Sequence, residues 1–178
     1  MMVYACITME APRNIEAHKK EYFAKIHKSL SRIENIAGRG KISFNGALKA
    51  IKELKPLYED VNQAHHEILC LAALQYLKDI YGNLKWFWHP TSTGTGEEAD
   101  LEGRDENGKL IVAAECSASI KAKGTLRVRM NLSLEKLHGL QVRQRYYFVV
   151  NEDMKASAKN RTVNYGYDIN VERISTQQ

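Results

Sequence analysis

Five apolar residues, Leu110 to Ala114, run without interruption into the carboxylate of Glu115. Ile111 and Val112 are β-branched, so the stretch Lys109 to Ser117 reads as a buried strand. Alternation along such a strand sends Ala113, Glu115 and Ser117 to one face and Ala114 and Cys116 to the other. A charge at the end of a buried strand is costly unless it is paired or coordinates a cation, so Glu115 demands a partner. Upstream, Ala99 to Gly103 forms a second short run, and Asp105-Glu106-Asn107-Gly108 supplies the turn chemistry that pairs the two as a hairpin. Asp100 and Glu115, with fourteen residues between them, then converge at one end of that hairpin. Their oxygens, with the Cys116 carbonyl and waters, suit hard Mg²⁺ or Mn²⁺ better than zinc. The alternative is that both acids are surface residues flanking the hairpin and pairing with nearby lysines, since such short patterns are common.

The order of elements around the hairpin bears on that choice. Leu57, Val61, Ala64, Ile68, Leu71 and Gln75 follow the three-and-four spacing of a helix over Leu57 to Tyr81, with Pro56 before it and Gly82-Asn83 after it. Its second half, Ile68 to Leu74, is apolar all round and belongs in a core, with Glu67 at the mouth of that stretch. A strand at Leu84 to His89, the acidic hairpin and an amphipathic helix over about Thr125 to Leu137 follow. A strand at Arg145 to Val150, a helix at about Glu152 to Tyr165 and a strand at Tyr167 to Ile174 complete the series. The order is α, β, β, β, α, β, α, β.

With an acid at the start of one strand and an acid near the end of the next, the chain resembles the PD-(D/E)XK nuclease superfamily. The resemblance covers about Leu57 to Ile174. It implies α/β architecture: a restriction-endonuclease-like core of αβββαβ order, whose mixed central sheet is flanked by helices. Asp100 matches the first acid of the motif and Glu115 the second. Ser117 occupies the position of the motif lysine, as in a serine-bearing subgroup whose segment Glu115-Cys116-Ser117 leads into a basic loop. The tail from Tyr146 to Ile174, a strand, a helix and a strand containing Gly166-Tyr167-Asp168, strengthens the likeness. Glu67, on the helix before the sheet, matches by position a glutamate that often joins the metal shell in this family. The implied activity is that of a Mg²⁺-dependent endonuclease acting on DNA.

Phosphodiester cleavage calls for these residue types. A cation held by Asp100 and Glu115 neutralises charge developing on the phosphate and lowers the pKa of a bound water. Ser117 can hydrogen-bond but carries no positive charge, so Lys121 or Lys123 from the following loop would have to reach in, or a second metal compensate. The competing assignment for both lysines is a solvated basic loop.

A net charge of +5 and a pI near 9.0 suit a nucleic-acid partner. The bias is sharpest between Lys121 and Arg145, where Lys121, Lys123, Arg127, Arg129, Lys136, Arg143 and Arg145 stand against the single acid Glu135. Cations beside an acidic metal site are what a phosphate backbone requires, although most charge runs are solvated helix faces. Lys121, Lys123, Arg127 and Arg129 are the expected nucleic-acid contacts. Cys6, Cys70 and Cys116 fit no CxxC spacing, and an odd count argues against a disulfide framework, which points to a reducing, cytoplasmic setting. No secretory segment is evident, and no apolar run reaches the roughly 18 residues a bilayer needs.

Residues 1–56 form a separate helical extension, and residues 57–178 the nuclease-like core. From Pro12 to Ile36, the residues Ile15, Tyr22, Phe23, Ile26, Leu30 and Ile33 make a narrow stripe, ended by Gly38-Arg39-Gly40. A second stripe, Ala47, Leu48, Ile51 and Leu54, completes an N-terminal helical hairpin that packs on the core or on another subunit. Symmetric cutting would imply a homodimer. For Lys19, Lys20, Lys25 and Lys28 a DNA-contacting role competes with a solvated helix face, and charge runs are usually the latter.

Three motifs are set aside. His66-Glu67-Ile68-Leu69-Cys70 approaches the HExxH zinc signature, with Cys70 in place of the second histidine and no third ligand evident. Thr91 to Gly96 lacks the ending of a phosphate loop and precedes a strand, so it reads as a flexible turn. Trp86, Phe87 and Trp88 could stack bases, but strand aromatics more often fill cores. Two functions stay open: the metal-dependent nuclease, and a non-catalytic nucleic-acid-binding or assembly module that kept the fold and lost hydrolysis. The missing lysine favours the second. The intact acids favour the first, because a module that only binds DNA would gain by shedding negative charge.

Overall fold

The central strand of the molecule is the apolar run that ends in Glu115. In the computed structural model, which describes residues 9–12, 14–38, 43–89 and 98–174, it forms part of one six-stranded sheet. The elements are β1 (Met9–Glu10), α1 (Ile15–Ala37), α2 (Phe44–Ile80), β2 (Lys85–Trp88), β3 (Leu101–Arg104) and β4 (Leu110–Ser117). They continue with α3 (Thr125–Gly139), β5 (Gln144–Val149), α4 (Glu152–Tyr165) and β6 (Asn170–Arg173). The sheet order is sequential from β1 to β6. The first four strands pair antiparallel, and β5 and β6 add in parallel through the α3 and α4 crossovers. The protein is thus of mixed α/β class, and from α2 onward the elements come in the order that hydrophobic periodicity predicts.

The hairpin β3–β4 forms through the turn that the sequence indicates. The Asp105 carboxylate accepts from the amides of Asn107 at 3.0 Å and Lys109 at 2.9 Å, and Gly108 takes a φ of 78° that a side chain would resist. Leu101 pairs with Ala114 and Gly103 with Val112, with a register irregularity at Gly103/Arg104.

Both faces of the sheet are covered. Ala113, Tyr147 and Val149 join Met130, Leu134 and Leu137 of α3 and Met154 of α4 in one buried cluster. On the other face Tyr146 and Phe148 meet Tyr76 of α2 edge-on, with ring centroids 6.5 and 5.6 Å away. The Tyr81 and Tyr146 hydroxyls hydrogen-bond at 2.9 Å. The stretch from Ile68 to Leu74 is buried apart from the half-buried Ala72, as its all-round apolar character requires.

Two expectations for the helices are corrected. Pro56 does not precede a helix; α2 runs through it for 37 residues, so the stripe containing Leu48 and Ile51 and the stripe containing Leu57 and Val61 lie on one helix. A proline inside a helix costs about 3 kcal/mol, mainly through the lost bond to the carbonyl four residues earlier. Here that carbonyl belongs to the exposed Lys52, and Leu57 beside the proline is buried, so packing on one side and solvent on the other accommodate it. On α1 the buried positions are Ile15, Tyr22 and Ser29, seven residues apart, while Phe23 and Leu30 are 46% and 44% exposed. The seam follows a heptad and leaves those two large residues on its flank. Asn14 caps α1 by accepting from the Ala17 amide at 3.0 Å. Arg39, Gly40 and Thr91 to Gly96 lie outside the described residues.

By internal contacts the chain divides into two units: Asn14–Ile68, which is helical, and Met1–Arg13 with Leu69–Gln178, which carries the sheet. Among the described residues no helix is long and apolar enough to cross a membrane.

Gly103 is required by close approach. A Cβ there would stand 2.9 Å from the Trp86 ring and 3.0 Å from Leu84, both within the sheet unit. Gly103→Ala is expected to lower stability by about 1–3 kcal/mol, the usual cost of forcing a methyl into a filled core. Equilibrium denaturation measures this, and an unchanged midpoint would show that the Trp86 ring yields freely.

Candidate functional site

Glu115 stands two residues from the end of the longest described strand, and Asp100 immediately precedes β3, so the antiparallel pairing brings the two together. Both are 4% exposed. Each carboxylate binds the other's backbone neighbourhood: Glu115 Oε1 accepts from the Asp100 amide at 3.3 Å, and Asp100 Oδ2 accepts from the Cys116 amide at 2.8 Å. The two acids are therefore buried and mutually positioned, which excludes their being surface residues that flank a hairpin.

The cation that reaches this pair comes from α3. Lys136 Nζ lies 2.5 Å from Glu115 Oε1, with its side chain 16% exposed, and also donates to the Glu98 carbonyl at 3.0 Å. The Ser133 hydroxyl, one helical turn earlier, hydrogen-bonds Glu115 as well. Lys136 sits between the buried residues Leu134 and Leu137, and Ser133 directly before Leu134, so both flank the buried stripe of α3 where it meets the face carrying Glu115. Lys121 and Lys123 are exposed residues of the segment before α3, and the described ion pair to Glu115 uses neither.

At Glu115 burial outweighs the pull of its partners. Burial, and then the neighbouring Asp100, raise the Glu115 carboxyl to about 7 against the downward pull of Lys136 and Ser133. One ammonium does not offset desolvation plus a second carboxylate. The pair thus offers carboxylate oxygens of the kind a divalent cation with oxygen ligands takes.

Ser117 keeps the face expected for it, but its hydroxyl hydrogen-bonds the phenol of Tyr147, which β5 places beside Glu115 in parallel register. Burial chiefly, with Glu115 and Asp100 adding to it, holds that phenol above its ordinary range and therefore neutral. Cys116 points to the opposite face, where its thiol hydrogen-bonds that of Cys70 and burial pushes it up. The Cys70 sulfur and an Asp100 carboxylate oxygen lie within 4.8 Å of each other.

Glu67 belongs to the helical unit. It is buried, accepts from Gln63 Nε2 at 3.0 Å, and lines a cavity of 390 Å³ with Lys25, Lys28, Arg32 and Asp60. Arg127 and Arg129 are exposed on the first turns of α3. Trp86 and Trp88 are core residues, at 5% and 3% exposure. Arg145 donates to the carbonyls of Leu137 at 2.8 Å and Leu140 at 2.7 Å, and so serves to cap α3.

Comparison of the chain with protein-family models, with curated proteins and with solved structures gave no match in any of the three.

The raised Glu115 value has a consequence for folding of the metal-free protein. Its folded-state pKa lies above its unfolded one, so the folded state binds the proton more tightly. The associated stability is full below pH 4.5, declines as the pH rises to about 7 and is flat beyond it. The denaturation midpoint of Glu115→Gln, followed against pH, is expected to lack this decline relative to the wild type. Parallel curves for the two proteins would remove Glu115 as its source.

Proposed function

We propose that the protein is a metal-dependent nuclease that hydrolyses phosphodiester bonds in DNA. The observation that carries this reading is the buried Asp100–Glu115 pair, in which burial and Asp100 raise the Glu115 carboxyl to about 7 despite Lys136. Asp100 and Glu115 would hold Mg²⁺, or Mn²⁺ in its place. The bound ion supplies Lewis acidity toward a phosphate oxygen and a water of lowered pKa. The element order, with acids at the start of β3 and near the end of β4 and parallel β5 following α3, supports a restriction-endonuclease-like core of the PD-(D/E)XK kind.

The residues of the chain divide the remaining work. Lys136 takes the part that Ser117 cannot, because its ammonium is beside Glu115 and can hydrogen-bond a water or a phosphate oxygen at that position. Ser117 and Tyr147 form a neutral, hydrogen-bonded floor under the carboxylates. Lys121, Lys123, Arg127 and Arg129, all exposed, draw the phosphate backbone toward the acids. Glu67, in the helical unit, already accepts from Gln63 and is given no part in this reading.

The second reading, a nucleic-acid-binding or assembly module without hydrolysis, draws on one observation: Ser117, at the motif-lysine position, is engaged with Tyr147. A plasmid-nicking assay with Mg²⁺ or Mn²⁺ separates the two. Cleavage by the wild type is expected to fall by about 10²–10³-fold in Asp100→Ala, Glu115→Ala and Lys136→Met, the range seen when one transition-state contact is removed. Lys121→Ala and Lys123→Ala are expected to weaken DNA binding and lower its salt dependence by about one ion each. DNA bound but intact with every protein would assign the module reading instead.

A further inference from the structure

The cavity of the helical unit has no part in the chemistry above. All of its lining residues lie between Tyr22 and Glu67, inside Asn14–Ile68, so it belongs to that unit alone. Its wall on α1 is Lys25, Lys28 and Arg32, and its wall on α2 is Asp60, Gln63 and Glu67. Both triplets follow the spacing i, i+3, i+7, which sets each on one stripe of its helix. Tyr22, Ser29 and Ala64 line the space between the walls. Ser29 and Ala64 are small, and so leave open a volume of 390 Å³ where larger apolar side chains would close the seam.

The helical unit does not satisfy the polar groups it turns into this space. Ser29 is 7% exposed, and among the described residues its hydroxyl has no hydrogen-bond partner. The side chains of Lys28 and Arg32 likewise have no ion pair among the described residues. Lys25 is held on its own helix, 3.5 Å from Glu21 and 4.6 Å from the centre of the Tyr22 ring. The buried Glu67 receives one bond, from Gln63, where a carboxylate can accept about four. A hydroxyl and a carboxyl buried in this way are costly unless something in the cavity completes their bonding.

We propose that the cavity binds a small phosphomonoester whose other end carries an ammonium group. The Arg32 guanidinium, the Lys28 ammonium and the Ser29 hydroxyl are donors of the kind phosphate oxygens take. Asp60 and Glu67 face them with acceptors for the ammonium. The volume falls within the range of about 300–1,000 Å³ typical of small-molecule sites. Charges of opposite sign on separate walls favour a dipolar molecule over a simple anion. They also disfavour a nucleic-acid strand, whose further phosphates would lie against Asp60 and Glu67. Nothing in this assignment draws on the Asp100–Glu115 pair or on the nuclease reading.

O-Phosphoethanolamine is the probe, and ethyl phosphate is the same molecule without its amine. Titrated into the full chain in a calorimeter, O-phosphoethanolamine is expected to saturate at about one per chain and to bind at least about tenfold more tightly than ethyl phosphate. Arg32→Gln should weaken both ligands at least about tenfold, and Ser29→Ala about three- to tenfold. Asp60→Asn/Glu67→Gln should erase the preference for the amine, with circular dichroism reporting that each variant is folded. Lys20→Gln, which removes an equal charge from an exposed position outside the cavity, should change neither affinity. Absence of saturable binding, equal affinity of the wild type for the two ligands, or unchanged affinity in Arg32→Gln would each overturn the assignment. Vesicles of phosphatidylethanolamine should leave the protein in the supernatant, and Arg32-dependent sedimentation would give the cavity to a lipid headgroup instead. Displacement of the probe by a short DNA duplex would give it to nucleic acid.

Discussion

The ion pair between Lys136 and Glu115 joins α3 to the central strand of the sheet, and the geometry of the site depends on it. A carboxylate that far inside the fold would be unsupportable alone, and a second one beside it makes the deficit larger. The fold meets part of this with local donors: the Asp100 amide, the Cys116 amide and the Ser133 hydroxyl. Even so, burial and the neighbouring Asp100 hold the Glu115 carboxyl above its ordinary range.

Much of the fold was legible in the chain because the periodic signals are strong where the core is. The run Leu110 to Ala114, the alternation through Glu115 and the Asp105–Gly108 turn each led to the element that forms, and the acids met as the hairpin required. Pro56 signals a helix boundary that does not form, because a local propensity penalty of a few kcal/mol yields to packing along the rest of α2. Phe23 and Leu30 stay outside the seam for a related reason. A stripe of large residues does not reveal that the buried seam passes through the small Ser29 instead.

Lys136 was hidden among seven basic residues between Lys121 and Arg145. Proximity in sequence pointed to Lys121 and Lys123, which follow Ser117 directly. The useful signal was helical phase: Lys136 borders the stripe Met130, Leu134 and Leu137, while Arg127 and Arg129 belong to the exposed first turns. The basic stretch therefore contains three kinds of charge. Lys136 faces inward, Arg145 closes a helix end, and Lys121, Lys123, Arg127 and Arg129 meet solvent. A charge count treats all of them alike.

Arg145 acts as a mechanical stop. Its guanidinium, rooted in β5, grips the carbonyls of Leu137 and Leu140 at the end of α3. Creep of that helix by a single residue would rotate its side chains by about 100° and swing the Lys136 ammonium off the strand. The clamp on one strand thus sets the axial phase of a helix, and through it the protonation of an acid on the next strand over.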